Sequence, residues 1–200
     1  MVRLRRAVDD AVTGRGRLTL IVGEAGIGKT ALAAEVAGYA AGCGMRVLWA
    51  TCWDGDGAPP YWPWVQVVRG HEAGYGHHSM FGSDTADVAR IMPESAGQAT
   101  VLGDGGRERF ALFDAVVSLL VGAARVRPFL VILDDLQWAD VPSLLLLNFL
   151  AGQVVTAPLM VTGTFRDEEV SPDDHRGRLL AQARGNGEVV ALTGLAAVDV

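Results

Sequence analysis

Lysine is almost missing from this sequence. Of 17 basic residues, Lys29 is the single lysine, and every other one is arginine. Positive charge is short overall: 17 Lys and Arg face 23 Asp and Glu, for a net charge of −6 and a pI near 5.1. That balance argues against nucleic-acid binding by this segment through a broad basic face. The one local exception is Arg3, Arg5, Arg6, Arg15 and Arg17, which reads as a solvated helix face. Cysteine is as scarce. Cys43 and Cys52 are too dispersed for a zinc site and are expected to be buried thiols in a reducing compartment. The start, Met1-Val2-Arg3-Leu4-Arg5-Arg6, runs into Asp9-Asp10 and not into an apolar stretch. A secretory signal is therefore not expected, and a cytoplasmic location is. The stretch Val141 to Phe165 has no charge but contains Pro142, Asn148, Gly152, Gln153 and Pro158. It reads as a buried helix followed by a central strand, not as a membrane span.

What the chain does have is apolar content, 50% of its 200 residues, enough for a sizeable core in one α/β domain. The lone lysine sits in Gly23-Glu24-Ala25-Gly26-Ile27-Gly28-Lys29-Thr30, which fits G-x-x-x-x-G-K-[ST], the phosphate-cradling P-loop. Leu18 to Val22 precedes it as a β-prone apolar run, and Ala31 to Ala37 follows it as a helix former. Gly23, Gly26 and Gly28 allow backbone conformations closed to residues with a Cβ, so successive N–H groups can turn inward as an anion nest. Glu24, Ala25 and Ile27 would contribute backbone. Lys29 would sit on the β- and γ-phosphates and the Thr30 hydroxyl on Mg²⁺. A compact ammonium suits that task, and arginine's planar fork does not replace it.

Along the chain, Arg3 to Val12 reads as a short helix, and a long one runs from the loop to about Ala41, stopped by Gly42-Cys43-Gly44. Arg46 to Thr51 is a strand. Residues 53–106 form an irregular aromatic and Gly-rich insert. Within it, Tyr61 to Val68 reads as a short aromatic helix with Pro63 in its first turn, Asp84 to Met92 as a further helix, and Ala96 to Gly106 as loop. Arg107 to Ala124 is a helix whose Phe110, Phe113, Val117, Leu120 and Val121 share one apolar face and whose Leu112, Val116 and Leu119 form a second. Phe129 to Leu133 is a buried strand, Ser143 to Ala151 a helix, Leu159 to Phe165 a strand, Asp174 to Ala183 a helix, and Glu188 to Leu192 the last strand. This alternation predicts α/β: a P-loop NTPase three-layer sandwich with a central, mostly parallel five-stranded sheet flanked by helices, in one domain over residues 1–200. Ligands of such sheets bind beyond the carboxyl ends of the strands.

Two further residues fall at that edge. Phe129 to Leu133 delivers Asp134-Asp135, a Walker B pattern. Asp134 would hold Mg²⁺, and Asp135 would orient or deprotonate an attacking water. Arg166 ends the next strand, where an arginine could contact a γ-phosphate. The competing reading is a solvent arginine paired with Asp167 or Glu168.

Taken in order, the P-loop, Pro59-Pro60-Tyr61-Trp62-Pro63-Trp64, Arg107 to Phe113, Leu133-Asp134-Asp135-Leu136-Gln137-Trp138-Ala139-Asp140 and Gly163 to Glu169 resemble the ATPase module of the large ATP-binding LuxR-type regulators. Those belong to the STAND group of AAA-related P-loop NTPases. The resemblance implies an ATP-gated switch: ATP and Mg²⁺ as cofactors, self-association in the ATP-bound form, slow hydrolysis to reset it, and neither membrane nor direct nucleic-acid contact by this segment. The chain departs from the family pattern at both ends. A Gly-Arg-x-x-Glu segment expected near the base is not found, and Gly194 to Val200 looks like the start of a lid. A fragment lacking lid and effector domains is the expectation.

Other constellations point less far. His71, His77 and His78 with Asp84 lack metal-ligand spacing and read as exposed loop histidines. Trp62 and Trp64 could stack bases, but the acidic charge favours packing of the insert. Two alternatives stay open beside the ATP switch. One is a nucleotide-binding or assembly module, or a degenerate fragment, without useful hydrolysis, and the other is a small-molecule kinase on the same scaffold.

Overall fold

The structure is a computed structural model that describes residues 1–55, 57–73, 106–169, 171 and 173–193. Five strands, β1 (Arg17–Val22), β2 (Arg46–Thr51), β3 (Phe129–Asp134), β4 (Leu159–Phe165) and β5 (Glu188–Ala191), form one sheet. Its order is β2-β3-β4-β1-β5, and every pairing is parallel. Helices α1 (Val2–Val12), α2 (Lys29–Gly42), α3 (Trp62–Ala73), α4 (Gly106–Val126), α5 (Val141–Gln153) and α6 (His175–Asn186) flank it. Among the described residues no helix is long and apolar enough to cross a membrane. Val141 to Phe165 divides into α5 and β4, as its prolines and glycine predict.

Two apolar layers sandwich the sheet. Alternating residues of the strands face opposite ways. Leu18, Leu20, Val131 and Leu133 join the core under α3 to α6, while Ile21, Leu130, Ile132 and Met160 join Leu4, Val8, Val36 and other residues of α1 and α2. Strands buried on both faces become the continuous apolar runs the sequence displays. Two of the helices start on capping side chains. Asp140 accepts from Ser143 N at 2.9 Å ahead of α5, and Asp174 accepts from Gly177 N ahead of α6. Such caps satisfy N–H groups that the first turn leaves without partners.

The register sets the site's position. Val22 lies opposite Phe165, and Thr51 opposite Asp134. The carboxyl ends of β1, β2, β3 and β4 thus meet at one edge. Strand β4 lies between β1 and β3, although it follows both in sequence.

Several expectations need correction. Phe110 is 59% exposed, not part of a buried face, and rests edge-on against Phe149 at 5.5 Å. It lies in the first turns of α4, before the helix reaches the core. Cys43 is exposed because it caps the end of α2; Cys52 is buried. His71 is not in a loop but in α3, buried against the Phe129 ring at 5.5 Å. Trp64 is fully buried, its indole donating to Ser143 O at 3.0 Å, so packing is its role, whereas Trp62 is half-buried. The expected helix over 84–92, His77, His78, Asp84 and the lid-like residues 194–200 lie outside the described residues.

Candidate functional site

Strand β1 delivers the chain to the loop, and α2 takes it away. Gly26 (φ 72°) and Gly28 (φ 100°) both adopt left-handed backbone, a conformation that only glycine takes without strain. At Gly23 a Cβ would come within 2.7 Å of the Leu192 carbonyl oxygen. Helix α2 begins on Gly28 with no side-chain cap, so its first N–H groups and its positive end face the loop. Lys29 is buried, and its Nζ donates to Gly23 O at 2.9 Å and Glu24 O at 2.6 Å. Two of its three protons thereby draw the ammonium across the loop.

The next residue reaches the third strand. Thr30 Oγ1 donates to Asp134 Oδ1 at 3.3 Å, across 104 residues of sequence. Thr164 Oγ1, on the intervening β4, donates to the same oxygen at 2.5 Å. Asp134 is buried, and among the described residues no basic side chain pairs with it. Hydroxyls alone leave a buried carboxylate's charge uncompensated. A hydroxyl and a carboxylate are hard oxygen donors of the kind Mg²⁺ prefers. Mg²⁺ uses one or two protein carboxylates and takes its other ligands from phosphate and water.

Asp135 stands just beyond, at φ 60° and ψ 50°. A non-glycine residue in this region is uncommon and needs surrounding contacts to hold it. Those contacts come from two residues that sequence reasoning did not assign. The Asp135 N–H donates to Thr164 Oγ1 at 3.0 Å, and Gln137 Nε2 donates to Asp135 Oδ1 at 2.9 Å. Gln137 is itself buried, and its Oε1 accepts from the Arg166 N–H at 3.2 Å. One amide therefore joins Asp135 to the end of β4. Gln137 stands in the Leu133 to Asp140 string and Thr164 in the β4 string, but only the strand order reveals what they touch. Arg166 is half-buried at this edge, and the Asp167 carboxylate beside it is taken by Arg184 at 2.5 Å. Cys52 lies close by, its N–H on Asp134 O at 2.9 Å. Burial, then the charges of Asp140, Asp135 and Asp134, push its thiol far above the usual range, so it is no nucleophile.

The structure thus brings together Gly23 to Thr30, Asp134, Asp135 and the backbone of Arg166. Among solved structures, the Orc1 protein of Aeropyrum pernix in complex with DNA is similar at 16% identity and a TM-score of 0.46. That match covers 98% of this chain and 45% of the other, so this chain spans less than half of that length. A second solved structure, itself described as an ATPase domain, is similar at 12% identity and a TM-score of 0.42, over 93% of this chain and 73% of that one. No curated protein matches. The family model described as AAA ATPase domain matches residues 1–162. That span takes in every element from α1 to the middle of β4, and on it the chain belongs to the AAA ATPase domain family.

Proposed function

We propose that this chain is a Mg-ATP-binding switch module with slow hydrolysis, the nucleotide-binding part of a signal-responsive transcriptional regulator of the LuxR-type STAND kind. The observation that carries the reading is the meeting of Thr30 and Asp134 at 3.3 Å beside a glycine cradle that opens a helix. In this reading the loop amides and Lys29 hold the β- and γ-phosphates, and Thr30 and Asp134 hold Mg²⁺. Bound Mg²⁺ supplies neutralisation of the charge on the transferring phosphate. Asp135 orients the attacking water, Gln137 aims Asp135, and Arg166 contacts the γ-phosphate. Asp135, held by Gln137 at 2.9 Å, is a carbon shorter than glutamate, and that shorter reach supports slow turnover.

A titration with Mg-ATP tests the reading. Wild type binds, and Lys29→Ala loses at least about 100-fold in affinity, since charge-assisted contacts to several phosphate oxygens go at once. Equal binding by both, or by neither, would sink it. A second reading, a nucleotide-holding assembly module without useful hydrolysis, draws on the same engaged Asp135 carboxylate. Single-turnover measurement separates the two: product that forms slowly but fully favours the switch, and no product favours the holder.

A further inference from the structure

Beside the nucleotide edge lies a pocket of about 260 Å³. It opens between the loop after β2, the first turn of α3, the turn after β3 and the start of α6. Three of the five tryptophans, Trp53, Trp62 and Trp138, line it, together with Cys52, Asp140 and Arg176. Its size of about 260 Å³ falls just below the usual range of ligand sites, about 300–1,000 Å³, so it suits a head group more than a drug-sized molecule.

The chemistry of the walls is specific. Indole faces attract cations more strongly than other aromatic rings do. Trp62 already holds the Arg69 guanidinium 5.8 Å from its ring centroid. Asp140 adds a fixed negative charge. Its oxygens accept from Ser143 N at 2.9 Å, Ser143 Oγ at 2.6 Å and Tyr61 N at 3.3 Å. All three donors are neutral, so its position is fixed without an ion pair, and the positive end of α5, which it caps, offsets part of its charge. Two guanidiniums oppose the Asp140 charge: Arg69, already over the Trp62 ring, and Arg176, which is exposed and can turn its charge to solvent. Three indoles and a carboxylate with one acceptor position left, on Oδ2, match a cation that donates one hydrogen bond at most.

We infer that this pocket is a binding site for a small organic cation of the alkyl- or quaternary-ammonium class. The inference does not depend on nucleotide binding. The test follows the five indole N–H signals of the full chain by ¹H–¹⁵N NMR, with tetramethylammonium chloride as titrant. Sodium chloride at equal ionic strength and the neutral isostere tert-butanol serve as controls. Saturable shifts are expected at Trp53, Trp62 and Trp138, with Trp49 and Trp64 unmoved. Trp53→Ala, at an exposed position that leaves the core intact, weakens binding about three- to thirtyfold. Arg176→Ala tightens it by about threefold, as removal of a like charge near the surface requires. An equal response to tert-butanol overturns the inference, as does the absence of saturable shifts at these three indoles. Benzoate binding that weakens in Arg176→Ala would assign the pocket to anions and overturn it as well.

Discussion

Gln137 decides how Asp135 is presented. Asp135 sits in left-handed backbone at φ 60°, and Gln137 satisfies its carboxylate with one end of an amide while holding the Arg166 N–H with the other. Leucine at 137 keeps the volume but loses both bonds. Its cost should therefore fall on chemistry more than on binding. We expect Gln137→Leu to lower single-turnover hydrolysis roughly 10- to 100-fold, in the range set by losing one positioned catalytic contact, with nucleotide affinity changed less than about threefold. Affinity falling in step with the rate would instead place Gln137 in ground-state binding. The phosphate loop was legible in sequence because its glycines, lysine and threonine are contiguous, and its conformation is local: left-handed φ at Gly26 and Gly28 follows from residue type. Gln137 was not, because its distant partner, Arg166, follows β4, and no local pattern encodes that β4 lies beside β3.

At the level of elements, α3 and the edge strand β2 are tied by polar groups as well as apolar ones. Gln66 donates to Thr51 O at 2.8 Å and accepts from Thr51 N at 3.2 Å, as a neighbouring strand would. This covers part of a sheet edge that would otherwise invite pairing. At the other end of α3, His71 packs under the helix against Phe129. Burial, and then the nearby Arg46 charge, lower its pKa. The unfolded chain therefore takes up a proton near pH 6.5 that the folded chain resists. Its contribution to stability is complete above that pH and lost as pH falls from there toward the folded value. Urea unfolding of wild type should show a midpoint that drops from pH 7.5 to 5.5 more steeply than that of His71→Leu. Parallel profiles would show that His71 titrates alike in the folded and unfolded chains. The opposing pair α5 and α6 is joined by buried Asn148, which donates to Leu144 O and Leu179 O at 3.0 Å and accepts from Asn186 at 3.1 Å. A lone polar residue in an apolar helix gains its meaning only from the helix that meets it.

Over the whole molecule, stability concentrates where the site is built. Strands β1, β3 and β4 occupy the middle of the sheet and are almost wholly buried, whereas β5 has four residues of intermediate or greater exposure and β2 forms the other edge. Native-state hydrogen exchange should therefore leave the amides of β3 and β4 open only through global unfolding, with β5 exchanging first. Protection of β5 equal to that of β3 would contradict this ranking. Gly163 shows how closely the site's parts are fitted. A Cβ there would come within 2.4 Å of Leu136 Cδ1 and 2.9 Å of Leu20 Cδ2, so the turn carrying Gln137 rests directly on β4. Interiors this dense transmit a shift at one strand end to its neighbours.

The sequence by itself determined the alternation of strands and helices, the loop from Gly23 to Thr30, and the arrival of Asp134 and Asp135 at a strand end. These depend on periodicity, on glycine's backbone freedom and on burial, which are properties of short stretches. Only the tertiary structure decided the strand order, and with it the placing of β4 between the loop strand and the carboxylate strand. Parallel strands are joined by crossovers, so sequence order does not determine neighbours. That one arrangement brings Thr164 to Asp134 and Gln137 to Arg166, and the pairing of β2 with β3 brings Trp53 and Trp138 to a single pocket.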